Sequence, residues 1–208
     1  MVFMAFKSLQ GCLPDIAEVL SVNRTTLYER QRALVREGLL EALPGRGRGS
    51  GVRATPESVA MLSIGMLSSV SLADVGPLAR SFGSSASITS KCPLTGARTF
   101  HGALSRILSD DSIAKRVNGI SVRVNAGHAA IGFDGGNAEL DMDFVLLKAS
   151  LESRGAKKVK LNPAPSISVF STQVHQERGL LVSVSIPRET VRDLARTVRA
   201  LLDEGNER

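Results

Sequence analysis

Residues 13 to 67 restrict the fold of this chain more than any other stretch. Helical periodicity runs through them and is broken twice, by a three-residue turn and by a loop of glycine and arginine. In LPDIAEVL, Pro14 and Asp15 predict a helix start, because proline suits the first turn and an acid there complements the helix dipole. Ile16, Val19 and Leu20 fall at i, i+3 and i+4 and predict one apolar face. Ser21-Val22-Asn23 interrupts the pattern, and Asn23 is a good N-cap for a second helix. That helix is predicted from Arg24 towards Glu37, with Leu27 and Leu34 inward and Gly38 as its C-terminal stop. Leu39 to Leu43 predicts a short strand, GRGRGSG a loop, and Val52-Arg53-Ala54 the returning strand. Thr55 as N-cap and Pro56 at the first helical position open a third helix, with Val59, Leu62 and Met66 on its inner face.

Two short helices joined by a tight turn, then a two-stranded ribbon with a basic tip, form the layout of a winged helix-turn-helix. Ala17 is small enough to let the first two helices approach, Val22 plugs the turn, and Leu27 packs the second helix on the first. The opposite face then carries Asn23, Arg24, Thr25, Tyr28, Glu29 and Arg32. A helix fits the major groove, and its N-terminal residues reach base edges. Arg24 or Arg32 can bond guanine, Thr25 can meet a phosphate or a thymine methyl, and Tyr28 can reach a phosphate through its hydroxyl. The wing adds Arg46, Arg48 and Arg53, with glycines that let the backbone approach a sugar-phosphate rail. Double-stranded DNA is the partner expected.

IAEVLSVNRTTLYERQRALVREGLL resembles the helix-turn-helix of many bacterial regulators. Together with GRGRGSGVRATPESVAMLSIGML it resembles winged-helix repressors of prophage and gene-transfer-agent type, over the first third of the chain. Two departures stand out. Ser21 occupies the place of the usual turn glycine, and Arg30 and Gln31 stand where such helices often carry a second apolar pair.

Composition agrees with a DNA partner. The 208 residues carry a net charge of +6, which favours phosphate-bearing partners. Hydrophobic residues at 43% against 22% charged predict a folded chain, while 4% aromatics and no Trp leave the core to Leu, Val, Ile, Ala and Met. Cys12 and Cys92 form no CxxC pair, so neither a disulfide framework nor a zinc site is expected. MVFMAF lacks the basic start and cleavage site of a signal peptide. No apolar run approaches the roughly 20 residues that span a bilayer. A cytoplasmic protein with no membrane contact is expected.

Three zones follow: a DNA-binding domain at 1–67, a Ser/Gly/Ala-rich connector with one short helix at 68–98, and an α+β domain with an antiparallel sheet at 99–208. In the last, Thr99 to Val117 predicts a helix with Leu104, Ile107 and Leu108 on one face. Ile120, Val122 and Val124 alternate as a half-buried strand. Asn125 to His128 predicts a turn, Ala129 to Phe133 the partner strand, and Gly135-Gly136-Asn137 another turn before the alternating Leu140, Met142 and Phe144. Lys148 to Arg154 reads as helical or irregular and is followed by the basic KKVK at Lys157 to Lys160. A hairpin is predicted from Ile167 to Val174 and Leu180 to Ile186, around Glu177-Arg178-Gly179. A final helix follows Pro187, its stripe formed by Val191, Leu194, Ala195, Val198, Leu201 and Leu202.

Nothing here predicts chemistry. His101, His128 and His175 share no metal-ligand spacing. No nucleophile elbow surrounds a serine, and Asp141 and Asp143 read as a solvated strand face. No catalytic residue, metal or cofactor is expected. The C-terminal domain is left with dimerisation, effector sensing or protein contact. Its last helix serves as a dimer interface or packs on its own sheet. The expectation is a homodimeric repressor acting by operator occupancy. A protein-interaction adaptor, or a regulator gated by a small molecule in the C-terminal domain, is the alternative.

Overall fold

In a computed structural model, the residues described are 7–43, 51–69, 71–87, 91–124, 127–141, 173–175 and 181–206. The first helix, α1 (Leu9–Val19), starts five residues before Pro14, and Pro14 lies inside it. The Ser8 hydroxyl caps it by accepting from the Gly11 N–H at 3.2 Å. Leu9, Cys12, Leu13, Ile16 and Leu20 are all fully buried. Burying this longer stripe outweighs an interior proline, which costs about 3 kcal/mol.

The turn after α1 is a Schellman motif. Ser21 takes the left-handed conformation at φ +50°. Its N–H donates to the Glu18 carbonyl at 3.0 Å, and that of Val22 to Ala17 at 2.9 Å. The second helix, α2 (Arg24–Arg36), begins at Asn23 as expected, the Asn23 side chain accepting from the Thr25 N–H at 2.7 Å. It ends in a second Schellman turn, with Gly38 at φ +67° and the Leu39 N–H donating to Leu34. That use of Leu39 shortens the following strand to β1 (Ala42–Leu43), antiparallel to β2 (Gly51–Val52). Both are shorter than the 39–43 and 52–54 strands expected. Beyond β2, Arg53 bridges to Ser8, and the Ala54 N–H donates to Lys7, so the ribbon is tied to the entrance of α1.

A reciprocal Thr55–Ser58 capping box starts α3 (Pro56–Ser68). Every residue of α3 from Ser58 to Ser68 is buried, not only the expected Val59, Leu62 and Met66 face. It is the central helix, packed against α2 on one side. The segment 68–98 carries a 3-10 turn (Leu72–Asp74), α4 (Val75–Ser84) and the short strand β3 (Ala86–Ser87). Val75, Ala79 and Phe82 of α4 are fully buried.

Thr99 caps α5 (Phe100–Ser109), but no single helix runs to Val117. The Asp110 carboxylate accepts from the N–H groups of Ser112 and Ile113 and starts a separate α6 (Asp111–Ala114). Such local capping by Asp competes with helix continuation. Val117 opens β4 (Val117–Arg123), followed by β5 (His128–Phe133), β6 (Gly136–Asp141), β7 (Gln173–His175) and β8 (Leu181–Pro187). The order is β3-β6-β5-β4-β8-β7, with every neighbouring pair antiparallel. The chain is therefore α+β with an antiparallel sheet. The β5–β6 turn is Asp134-Gly135, with Gly135 at φ +99°. Gly136 and Asn137, expected in that turn, already pair in the strand with Phe133 and Gly132.

The last helix, α7 (Arg188–Asn206), follows β8 directly. Its Val191, Leu194, Ala195, Val198 and Leu201 are buried in one core that continues back to Leu9. The helix packs on α5, α6, β4 and α1. The stripe thus covers the chain's own interior rather than facing outwards. Met142, Asp143, Phe144, Lys148 to Arg154, Lys157 to Lys160 and the Glu177-Arg178-Gly179 turn lie outside the described residues. No helix among the described residues is long and apolar enough to cross a membrane.

Candidate nucleic-acid interface

The caps at Asn23 and Gly38 limit α2 to a rod of 13 residues. One side is buried through Leu27, Arg30, Gln31, Ala33 and Leu34. The other is an arc at i+3 and i+4 spacing. Thr25, Arg32 and Arg36 are exposed on it, and Tyr28 and Glu29 are half-buried. Arg24 is exposed at the first helical position, and the first turn contains no acidic residue. A cation at the positive end of a helix dipole is mildly unfavourable, and free N–H groups there favour an anion.

Arg32 is already oriented. Its guanidinium lies 5.9 Å from the centre of the Tyr28 ring and 3.5 Å from Glu29 Oε1. An exposed pair of this kind contributes about 0–1 kcal/mol, so it can be exchanged for a phosphate at little cost. Asn23 is exposed, but its carbonyl oxygen is engaged as the α2 cap. Arg53 is exposed where β2 meets Ser8. Arg46 and Arg48 lie outside the described residues.

Arg36 is absent from the sequence expectation although it shares this arc. Extending the 25, 29, 32 spacing by one more turn reaches it. From Arg24 to Arg36 the arc runs roughly 18 Å along the helix. Arg80 of α4 is exposed nearby, its guanidinium donating to the Glu37 carbonyl at the end of α2.

The inner side holds Arg30 and Gln31. Both are buried, at 8% and 7% exposure. Arg30 Nη1 donates to the Gly65 carbonyl at 3.0 Å and to Ser69 Oγ at 2.7 Å. Burial pushes the Arg30 pKa below its ordinary value. Among the described residues, Gln31 Oε1 and Arg30 Nε have no hydrogen-bond partner.

No family model, curated protein or solved structure matches this chain.

Two other features among the described residues offer less. One apolar cavity between α3, α5, the sheet and α7 measures about 10 Å³, against the roughly 300–1,000 Å³ of a metabolite site. A wider groove between α1 and α7 is lined by charges of both signs, including Lys7, Asp15, Glu18, Asp193 and Arg196. Among the described residues, no three His, Cys, Asp or Glu side chains group as a metal site.

Proposed function

We propose that this chain is a DNA-binding transcriptional regulator in which α1 and α2 form a helix-turn-helix, α2 enters the major groove, and β1–β2 is the wing. The observation that carries this reading is the outer arc of α2. Arg24, Arg32 and Arg36 are exposed along one side of a helix whose other side is buried. The half-exposed Glu29 is the one acid on that side. Such a face offers cations for phosphates and base edges, while the buried side keeps the helix from turning.

Two copies would read half-sites about 34 Å apart, as a homodimer blocking transcription by occupying its operator. The α7 stripe is already covered, so pairing uses another surface. The test is a salt titration of the full chain against random-sequence and promoter duplexes. A regulator binds at low salt and weakens steeply as salt rises, because each neutralised phosphate releases counterions. No appreciable duplex affinity even at low salt would leave a protein-interaction adaptor instead.

A further inference from the structure

We infer that Arg30 is a positioning residue, buried between α2 and α3, that sets the orientation in which α2 presents its outer arc. The inference rests on the DNA-binding reading above. Among the described residues no carboxylate pairs with Arg30. Its charge is met by the C-terminal end of α3. Gly65 lies in the last turn of that helix, at the negative end of its dipole. The Arg30 guanidinium and the Ser69 hydroxyl both donate to this oxygen, at 3.0 and 3.2 Å, and the guanidinium also donates to Ser69 at 2.7 Å. The three groups close a triangle. Gly65 keeps the helices near: a Cβ there would meet Leu34 Cδ1 and Val75 Cγ1 at 3.3 Å.

A stability role alone does not account for this choice. Burying a charge is costly, and an apolar side chain of similar volume often holds such a site as well or better. What the guanidinium adds is direction, because its donors must meet two oxygens at fixed places. An apolar contact would let α2 slide or tilt. Arg24 lies roughly 9 Å from Arg30 along the axis, so a tilt of about 10° moves it by roughly 1.5 Å. That is enough to break a bidentate base contact but not the general attraction of a phosphate.

The experiment uses the full chain with two probes, a random-sequence duplex and the duplex that the wild type enriches from a random pool. Arg30→Met is expected to fold and to bind the random duplex with wild-type affinity and salt slope. Its preference for the enriched duplex is expected to fall about tenfold, the equivalent of one base contact. Arg30→Lys, which restores a donor, recovers part of the preference. Ser69→Ala, which removes one leg of the triangle, loses a smaller part and carries the test should Arg30→Met not fold. Unchanged preference in folded Arg30→Met, or in Ser69→Ala where that variant stands in, overturns the inference. So does a reduced salt slope in Arg30→Met, which would make Arg30 a phosphate contact. If the wild type binds neither duplex, the DNA-binding reading falls first and the inference falls with it.

Discussion

The side chain of Glu37, at the end of α2, fills the space beside Gly76 in the first turn of α4. A Cβ on Gly76 would stand 1.9 Å from Glu37 Cγ and 2.7 Å from its Cδ. One turn later, Arg80 donates to the Glu37 carbonyl. The outer arc of α2 is therefore held from two directions, by α3 through Arg30 and by α4 at its C-terminal end. On the proposed DNA-binding reading, this support would keep the side chains of the arc in register with base pairs.

Gly76→Ala is expected to destabilise the protein by about 1–3 kcal/mol, the usual effect of overpacking. Urea unfolding measures it. Glu37→Ala in the same chain removes the clashing Cγ and should recover most of the loss. An additive double variant would show that the two residues do not press on each other.

Ser21 holds the left-handed conformation that glycine adopts without a Cβ penalty. Ser21→Gly should raise stability by about 1 kcal/mol, since an L-residue in that conformation carries about 1–2 kcal/mol of steric cost. Part of this is returned through the greater freedom of glycine in the unfolded chain. The thermal midpoint should rise with the Schellman bonds of Ser21 and Val22 unchanged. A fall would mean that the Ser21 side chain has a role of its own.

Asp110 gives a pH signature. Hydrogen bonds from the Ser112 hydroxyl and N–H hold its carboxyl below the ordinary 3.8. A depressed folded pKa means that the charged form is favoured by folding. Its contribution is complete above 3.8 and is lost as pH falls through the lower folded value. Asp110→Asn keeps an acceptor for the α6 cap but cannot titrate. Its urea midpoint plotted against pH should have a shallower acid limb than that of the wild type. Asp111, lowered first by its contact with Lys115, supplies part of the remaining slope.

Local signals were legible in the sequence, and non-local ones were not. Asn23, Thr55 and Thr99 start helices, and Gly38 ends one, because each acts on backbone groups within a few residues. The alternation in Ile120 and Val122, and the turn at Gly135, likewise mark real strands. Pro14 misleads because the burial of Leu9, Cys12 and Leu13 against distant parts of the chain outweighs a local preference. The break at Asp110 is a local signal that the apolar run of Leu104, Ile107 and Leu108 hides. That β3 joins the sheet beside β6, and that the α7 stripe faces inwards, depends on partners far along the chain. On α2, spacing from Leu27 separates inner from outer residues. It cannot show that Arg30 finds the last turn of α3, whereas one more turn of the same spacing reaches Arg36.

The most direct test is the salt dependence of duplex binding by the variant Arg24→Gln, Arg32→Gln, Arg36→Gln against the wild type. If the outer arc of α2 meets DNA, affinity for a random-sequence duplex falls sharply. The slope of log affinity against log salt then drops by about 0.9 for each arginine that had neutralised a phosphate. Wild-type affinity and slope in a variant that folds normally would contradict the claim that this face of α2 is the DNA-binding surface.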